Sequence, residues 1–146
     1  MRNQRGFTMI ELIVVIVILG ILAATALPRF ISVDTSARAA KVNGARGSVL
    51  SASALAHAAW LVAGASGTTT TMDGATITLA NGYPDTGTSG IQAAAQLNTT
   101  DYSISGGPGT LTIASDSAHA TCSFTYAPAA VNSSPTVGSP VLSTSC

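Results

Sequence analysis

Glu11 has the most unusual setting of the ionisable residues, because it is the one acid in an otherwise uncharged apolar run from Gly6 to Pro28. A carboxylate at the depth of a membrane core is costly unless it is paired, so residues of this kind usually serve a function. No Lys, Arg or His lies between Phe7 and Pro28. The expected partner of Glu11 is therefore the amine of Phe7, once it is free, or a group on another molecule.

The other residues that could carry chemistry show no catalytic or metal-binding pattern. His57 and His119 have no ligand spacing with Cys122 and Cys146, and the four acids after Arg46 stand singly in the sequence. No Gly-rich phosphate loop is present in the sequence. We therefore predict that the protein is not an enzyme, and we expect no metal site and no cofactor.

The two cysteines, Cys122 and Cys146, suit a disulfide formed in an oxidising compartment. Closing a loop of about 25 residues should stabilise the fold by roughly 3 to 4 kcal/mol in the chain-entropy model. The predicted bridge would hold a Pro-, Ser- and Val-rich tail that would otherwise fray.

The element that positions Glu11 is a membrane-length helix. Phe7 to Leu27 would be about 31 Å long as a helix, which matches the hydrocarbon thickness of a bilayer. The segment in front of it, Met1 to Gly6, is basic and ends in Gly. In a secretory signal the apolar core precedes the cleavage site. Here the order is reversed, so a cut after Gly6 would leave the whole helix on the mature protein.

This stretch resembles the type IV pilins. The matching residues are Gly6-Phe7-Thr8-Met9-Ile10-Glu11-Leu12, then Gly20-Ile21-Leu22-Ala23-Ala24, and Pro28. A weaker resemblance, to the mannose-sensitive haemagglutinin branch of that family, comes from Gly82-Tyr83-Pro84 followed by Gly90-Ile91 and an Ala-rich segment.

The resemblance implies how the helix is used. A prepilin peptidase would cut between Gly6 and Phe7 and methylate the new amine of Phe7. Glu11 of a subunit entering the filament would pair with the Phe7 amine of its neighbour. The other implied partners are identical subunits, membrane lipid before assembly, and an inner-membrane assembly platform with its ATPase.

After Pro28 the helix becomes amphipathic, and we expect it to continue to about Leu61. The predicted inward face is small and apolar: Val42, Ala45, Val49, Ala52, Ala56 and Ala59. The polar residues between them are expected to be solvated or to face other subunits: Arg38, Lys41, Asn43 and Arg46. Two helix-weakening residues, Gly20 and Pro28, bound a segment that we expect to unwind or bend during assembly.

The remainder reads as short strands and turns. We expect Gly64 to Gly67, followed by Thr68 to Thr71, to end the helix and begin a flexible loop. A two-turn helix is expected at Ile91 to Leu97, with an N-cap in Thr88-Ser89-Gly90. The expected strands are Ala75 to Ala80, Asp101 to Ser105, Thr110 to Ala114 and Ala120 to Ala127, the second and third forming a hairpin through Gly106 to Gly109. His57 and Trp60 are expected to pack where the helix meets this region.

The predicted fold class is therefore α+β, a pilin fold in which a long amino-terminal helix packs on a small antiparallel β-sheet. The expected divisions are a leader at 1–6, a transmembrane and filament-core helix at 7–28, the amphipathic half of that helix at 29–63, and a globular head at 64–146. All six Lys and Arg lie at or before Arg46. The head is mildly acidic, so direct binding of nucleic acid to it is not expected.

The function implied is a structural subunit that polymerises through its helix into extracellular filaments for adhesion, motility or DNA uptake. Before assembly it would sit in the inner membrane, most naturally of a Gram-negative bacterium. Two alternatives remain open at this point. One is a pseudopilin of a type II secretion system, and the other is a minor pilin that acts as an adhesin or DNA receptor.

Overall fold

The computed structural model describes residues 6–142 and 146, with the backbone alone for residues 27–32. The predicted leader, residues 1–6, lies outside the described residues except for Gly6. The chain divides into two compact units, Met1–Thr35 and Ser36–Cys146. The elements in order are helix α1 (Met9–Val62), strands β1 (Thr69–Met72), β2 (Ala75–Ala80) and β3 (Tyr83–Pro84), a π-helical turn (Thr88–Gln92), and strands β4 (Ser103–Gly107), β5 (Thr110–Ala114), β6 (Ser123–Ala127) and β7 (Thr136–Val137).

The first unit is helical from Met9 onward, and every described side chain from Gly6 to Ala26 is exposed within the chain. The segment Met9–Ala26 is long and apolar enough, by length and composition, to cross a membrane. The described Ile, Leu and Val side chains of this unit are between 48% and 74% exposed. An apolar surface of this extent requires lipid or other protein around it.

In the second unit the predicted face of the helix is buried. Val42, Val49 and Ala56 are fully covered, Ala45 and Ala52 nearly so, whereas Ala59 is half-buried. Spacings of three and four residues place these side chains on one side of a helix. The helix ends at Val62, one residue beyond the predicted end.

The strands form two antiparallel sheets rather than the single predicted sheet, with strand orders β1-β2-β3 and β4-β5-β6-β7. In the second sheet Ile113 lies opposite both Ile104 and Phe124, and Leu111 lies opposite Tyr126. The alternation of side chains along a strand sends these apolar residues to one face. That face packs with Val42, Ala45 and Val49 of the helix to form the main core.

A smaller core lies under the first sheet. It consists of Ala56 from the helix with Ile77 and Leu79 from β2, and Trp60 and Met72 pack against its edge. The two cores therefore use successive turns of the same helix, so both sheets pack against the same face of that helix.

Several sequence predictions of local structure are wrong or shifted. The loop expected at Thr68 to Thr71 is mostly strand, because Thr69–Met72 pairs with β2 across the Asp73-Gly74 turn. The strand expected at Asp101 to Ser105 is Ser103–Gly107, so Gly106 and Gly107 belong to the ladder and not to the hairpin turn. The strand expected at Ala120 to Ala127 begins later, at Ser123.

The expected helix from Ile91 to Leu97 is also shorter and begins earlier. A π-helical turn starts at Thr88, and no side chain caps it. The backbone N–H of Gly87 donates instead to Asp85 Oδ1 at 2.8 Å. In the tail, Thr136–Val137 adds a fourth strand that the Pro- and Ser-rich composition did not predict.

Candidate functional site

The helix α1 begins with a reciprocal cap made by Thr8 and Glu11. The backbone N–H and the hydroxyl of Thr8 donate to Glu11 Oε2 at 3.0 and 2.9 Å, and the N–H of Glu11 donates to Thr8 Oγ1 at 3.2 Å. This is the capping-box arrangement, which satisfies N–H groups that have no partner inside the helix. It also fixes the rotamer of the Glu11 carboxylate.

This role of Thr8 was not predicted, although Thr-x-x-Glu in front of an apolar run is a sequence signal for such a cap. Both Thr8 bonds go to Oε2. No described residue donates to Glu11 Oε1. Among the described residues, Oε2 is therefore the oxygen of Glu11 that accepts hydrogen bonds.

Gly6 and Phe7 lie ahead of the helix, outside any regular element, and Phe7 is 88% exposed. In this intact chain the nitrogen of Phe7 is part of a peptide bond to Gly6, so a Phe7 amine that could pair with Glu11 is absent from the molecule described. An exposed, non-helical backbone at this position is the form in which a peptidase can bind a peptide bond.

Gly20 and Pro28 both fall within the range assigned to α1. A Cβ added at Gly20 would meet no atom within 4 Å. The side chain of Pro28 is outside the described set. The predicted bending of the Gly20 to Pro28 segment therefore stays a prediction.

Cys122 and Cys146 form a disulfide, with their Cα atoms 4.9 Å apart, and both residues are buried in the main core. The side chain of Asp116 supports the Cys122 end. It accepts hydrogen bonds at 2.8 Å from the His119 ring and from the His119 N–H, and the carbonyl of His119 accepts from the Cys122 N–H. Burial acts to raise the pKa of Asp116, but the bonds from His119 outweigh it and the pKa lies below its usual value.

Three cations that were expected to be solvated or to face other subunits are instead bonded to backbone carbonyls of the second unit. Arg38 Nε donates to the carbonyl of Cys146, and Arg46 Nε donates to the carbonyl of Gly138 at 2.8 Å. Both side chains are half-buried. They hold the disulfide-bounded tail against the helix.

Lys41 makes the third contact. Its Nζ donates to the carbonyls of Asp101 and Ser115, the latter at 2.8 Å, and lies 4.8 Å from the centre of the Tyr102 ring. A cation over an aromatic face is attracted by the negative centre of the ring. Asn43, by contrast, is exposed as expected.

The segment that carried the weaker resemblance, Gly82-Tyr83-Pro84 with Gly90, lies where the two sheets and the helix meet. The Tyr83 ring stacks on His57, and the Pro84 carbonyl accepts from the fully buried Tyr126 hydroxyl at 2.6 Å. A Cβ on Gly82 or Gly90 would collide with Trp60 or with Asp85. The residue types of this motif are therefore required by close packing in this unit.

Comparison with known proteins identifies the amino-terminal pattern. The model of the prokaryotic N-terminal methylation motif matches residues 1–27. The type IV narrow pilus major component PilA5 of Thermus thermophilus is 48% identical over 54 residues, which are 37% of this chain and 47% of the relative. The chain thus spans about half the length of the curated relative it matches. No solved structure matches the chain significantly. The motif and the relative confirm the resemblance of this chain to the type IV pilins.

Proposed function

We propose that this protein is a structural subunit of a type IV pilus that polymerises through its amino-terminal helix into extracellular filaments. Such filaments serve adhesion, motility or DNA uptake. The observation that carries the proposal is the exposed apolar segment Met9–Ala26, which lies within the methylation motif matched at residues 1–27. The relative named above is the major component of a pilus, which supports the same role.

The exposed helix explains how one element serves two environments. Its described apolar side chains are exposed within the chain. Lipid would cover them in the inner membrane before assembly, and the helices of identical subunits would cover them in the filament. Because lipid tails and packed apolar side chains are about equally apolar, the exchange depends on close packing rather than on the hydrophobic effect.

In this proposal the leader at 1–6 is removed between Gly6 and Phe7 by a prepilin peptidase, and the amine of Phe7 is methylated. The exposed, non-helical backbone at Gly6 and Phe7 supports cleavage there. Residues 7–28 then form the membrane and filament-core helix, residues 29–63 its amphipathic half, and residues 64–146 the displayed head. An inner-membrane platform and its ATPase would extract the subunit from the bilayer.

Glu11 would set the register of assembly. Thr8 holds Glu11 Oε2, while no described residue donates to Oε1. We propose that Oε1 accepts a hydrogen bond from the methylated amine of Phe7 of a neighbouring subunit. The cap thus presents a fixed carboxylate oxygen rather than a freely rotating side chain, which lowers the entropy cost of forming the pair.

We also propose that the helix can bend or unwind locally between Gly20 and Pro28. Gly and Pro both lower helix stability, so this stretch would bend or unwind as the subunit enters the filament. Amide hydrogen exchange in assembled filaments should show weaker protection here than in the flanking helix. Equal protection along the whole helix would refute this point.

The test uses the native host with the gene deleted and then complemented. Wild type should restore surface filaments seen by electron microscopy. Glu11→Gln and Glu11→Ala should be processed, as judged by the mass of the mature chain, and inserted in the membrane, yet give few filaments. Asp73→Asn removes one carboxylate from an exposed turn and serves as the matched control.

Normal filament yield from both Glu11 variants would refute the pairing. If deletion leaves filaments intact but stops the export of secreted enzymes, the subunit belongs to a secretion system and the proposed function is wrong.

A further inference from the structure

The sequence contains the dipeptide Asn-Gly twice, at Asn43-Gly44 and at Asn81-Gly82. An asparagine followed by glycine is prone to spontaneous deamidation, in which the backbone nitrogen of the glycine attacks Cγ of the asparagine side chain. Glycine favours this attack because it has no Cβ to hinder its own nitrogen and leaves the main chain free to rotate. The structure places the two dipeptides in different surroundings, so their reactivity should differ.

Asn43-Gly44 lies inside helix α1, which runs without a break from Met9 to Val62. The N–H of Gly44 is therefore part of the hydrogen-bond ladder of the helix. The Asn43 side chain also donates to the carbonyl of Ala39 at 3.0 Å. Attack by the Gly44 nitrogen would break the helix at a point where the adjacent Val42 and Ala45 are buried in the main core.

Asn81-Gly82 is the two-residue connection between strands β2 and β3. Both residues have a left-handed backbone, with φ at 52° and 81°, which is the conformation of a tight hairpin turn. The N–H of Gly82 makes no hydrogen bond to the described residues, and the side chain of Asn81 is exposed. The attacking nitrogen is therefore not engaged in a helix or a sheet.

One hydrogen bond holds the Asn81 side chain in its present position. Its Nδ2 donates to the carbonyl of Ala129 at 2.7 Å. For the reaction, this bond must break and the side chain must rotate towards the Gly82 nitrogen. Both changes are confined to one exposed turn and its edge, whereas the reaction at Asn43 requires the helix to open. Turns open at a lower free energy than elements of the core.

We propose that Asn81 is a site of spontaneous deamidation in the folded chain, and that the fold protects Asn43. The Gly82 nitrogen forms a bond to Asn81 Cγ, and Nδ2 leaves as ammonia with the proton of the Gly82 N–H. The product is a cyclic succinimide. Water then opens the ring at either of its two carbonyls and leaves an aspartyl or an isoaspartyl linkage. The net reaction consumes one water and releases one ammonia.

Either product loosens the β2–β3 turn. A carboxylate at position 81 has no N–H, so it cannot donate to the carbonyl of Ala129. In the isoaspartyl form the side-chain methylene becomes part of the main chain, which lengthens the turn. Gly82 has no room for this change on its inner side, because a Cβ there would lie 2.8 Å from the Trp60 ring. Deamidation therefore separates the turn from the segment at Ala129 and disturbs its packing against α1.

The experiment follows both sites in one sample of the full-length protein in detergent micelles, kept at mildly alkaline pH. Chymotrypsin separates the two sites, because Trp60 lies between them, and the mass of each peptide reports its deamidation. In the folded protein we expect Asn81 to react about a hundredfold faster than Asn43, since a core helix opens far less often than a turn. In concentrated urea the two rates should become similar.

Two isosteric variants test the effect on the fold. Asn81→Asp places the carboxylate of the reaction product at the turn and should lower the urea midpoint of unfolding by losing the bond to Ala129. Asn98→Asp makes the same change elsewhere and keeps the bond from the Thr100 N–H, so its midpoint should equal that of wild type.

The site is wrong if the folded protein deamidates Asn43 as fast as Asn81. It is also wrong if Asn81 stays intact in the folded protein over a time in which it is fully converted in urea. An Asn81→Asp midpoint equal to that of wild type would overturn the loosening of the turn.

Discussion

Removal of the Tyr126 hydroxyl should destabilise the second unit in a way that depends on pH. The ring is fully buried, and its hydroxyl donates to the Pro84 carbonyl at 2.6 Å. Tyr126→Phe loses one buried hydrogen bond, and we expect the free energy of unfolding at neutral pH to fall by about 2 kcal/mol.

This difference should disappear in alkali. Burial raises the pKa of Tyr126 from 10.0 to about 12. Between these values the folded protein keeps a proton that the unfolded chain has lost, so the stability of wild type falls as pH rises. The stabilisation is fully present below the unfolded pKa. Phe cannot titrate, so the gap between the two proteins should close by about 1.4 kcal/mol per pH unit across that window.

The assay is urea unfolding of the full-length protein in detergent micelles, followed by Trp60 emission at a series of pH values. Tyr102→Phe is the matched control, because the Tyr102 hydroxyl makes no hydrogen bond to the described residues while its ring remains under Lys41. It should change stability by less than about 0.5 kcal/mol at neutral pH. A Tyr126→Phe effect that stays constant to high pH would refute the reasoning on burial and titration.

Four further changes are predicted. Gly82→Ala should lower the free energy of unfolding by about 2 to 3 kcal/mol, because its Cβ would lie 2.8 Å from the indole ring of Trp60 and φ is +81°. Gly47→Ala, in open space on the helix, should raise that free energy by about 0.5 to 1 kcal/mol. Reducing the Cys122–Cys146 bond, which spans 24 residues, should cost about 3 to 4 kcal/mol, and a melting temperature indifferent to reductant would contradict this. Arg46→Met should cost about 1.5 kcal/mol in urea unfolding by losing its half-buried carbonyl bond.

The helix and its buried face were readable from the sequence because a helix imposes its own period. The apolar residues from Val42 to Ala56 recur at three- and four-residue steps, and these side chains are buried. Strand β5 was equally predictable, since polar and apolar residues alternate from Thr110 to Ala114 after Gly109. Such local patterns are complete within a few residues of sequence.

The roles of Arg38, Lys41 and Arg46 could not be read in this way. Their polar character places them off the apolar face, which suggested solvent or other subunits. Their partners are backbone carbonyls far away along the chain. Arg38 donates to a carbonyl 108 residues away, Arg46 to one 92 residues away, and Lys41 to the Ser115 carbonyl 74 residues away. Long side chains reach past the edge of a buried face, so their ends report tertiary structure that no local pattern contains.

Strands β1 and β7 were missed for a related reason. Thr69–Met72 follows a Gly-rich turn, and Thr136–Val137 lies among Pro and Ser, so both segments look like loops. Pairing with β2 and β6 overrides that composition. The cap of Glu11 is different, because Thr8 stood in the sequence at the required spacing and its signal was overlooked.

The bonds from Arg38 and Arg46 to the disulfide-bounded tail have a consequence for the order of folding. They join residues 108 and 92 positions apart. Contacts between such distant parts of a chain form slowly, because a large loop must close, at a cost in chain entropy, before these contacts can stabilise the fold. The helix precedes these partners along the chain, so the two bonds complete the second unit only after strands β4 to β6 and the tail are in place.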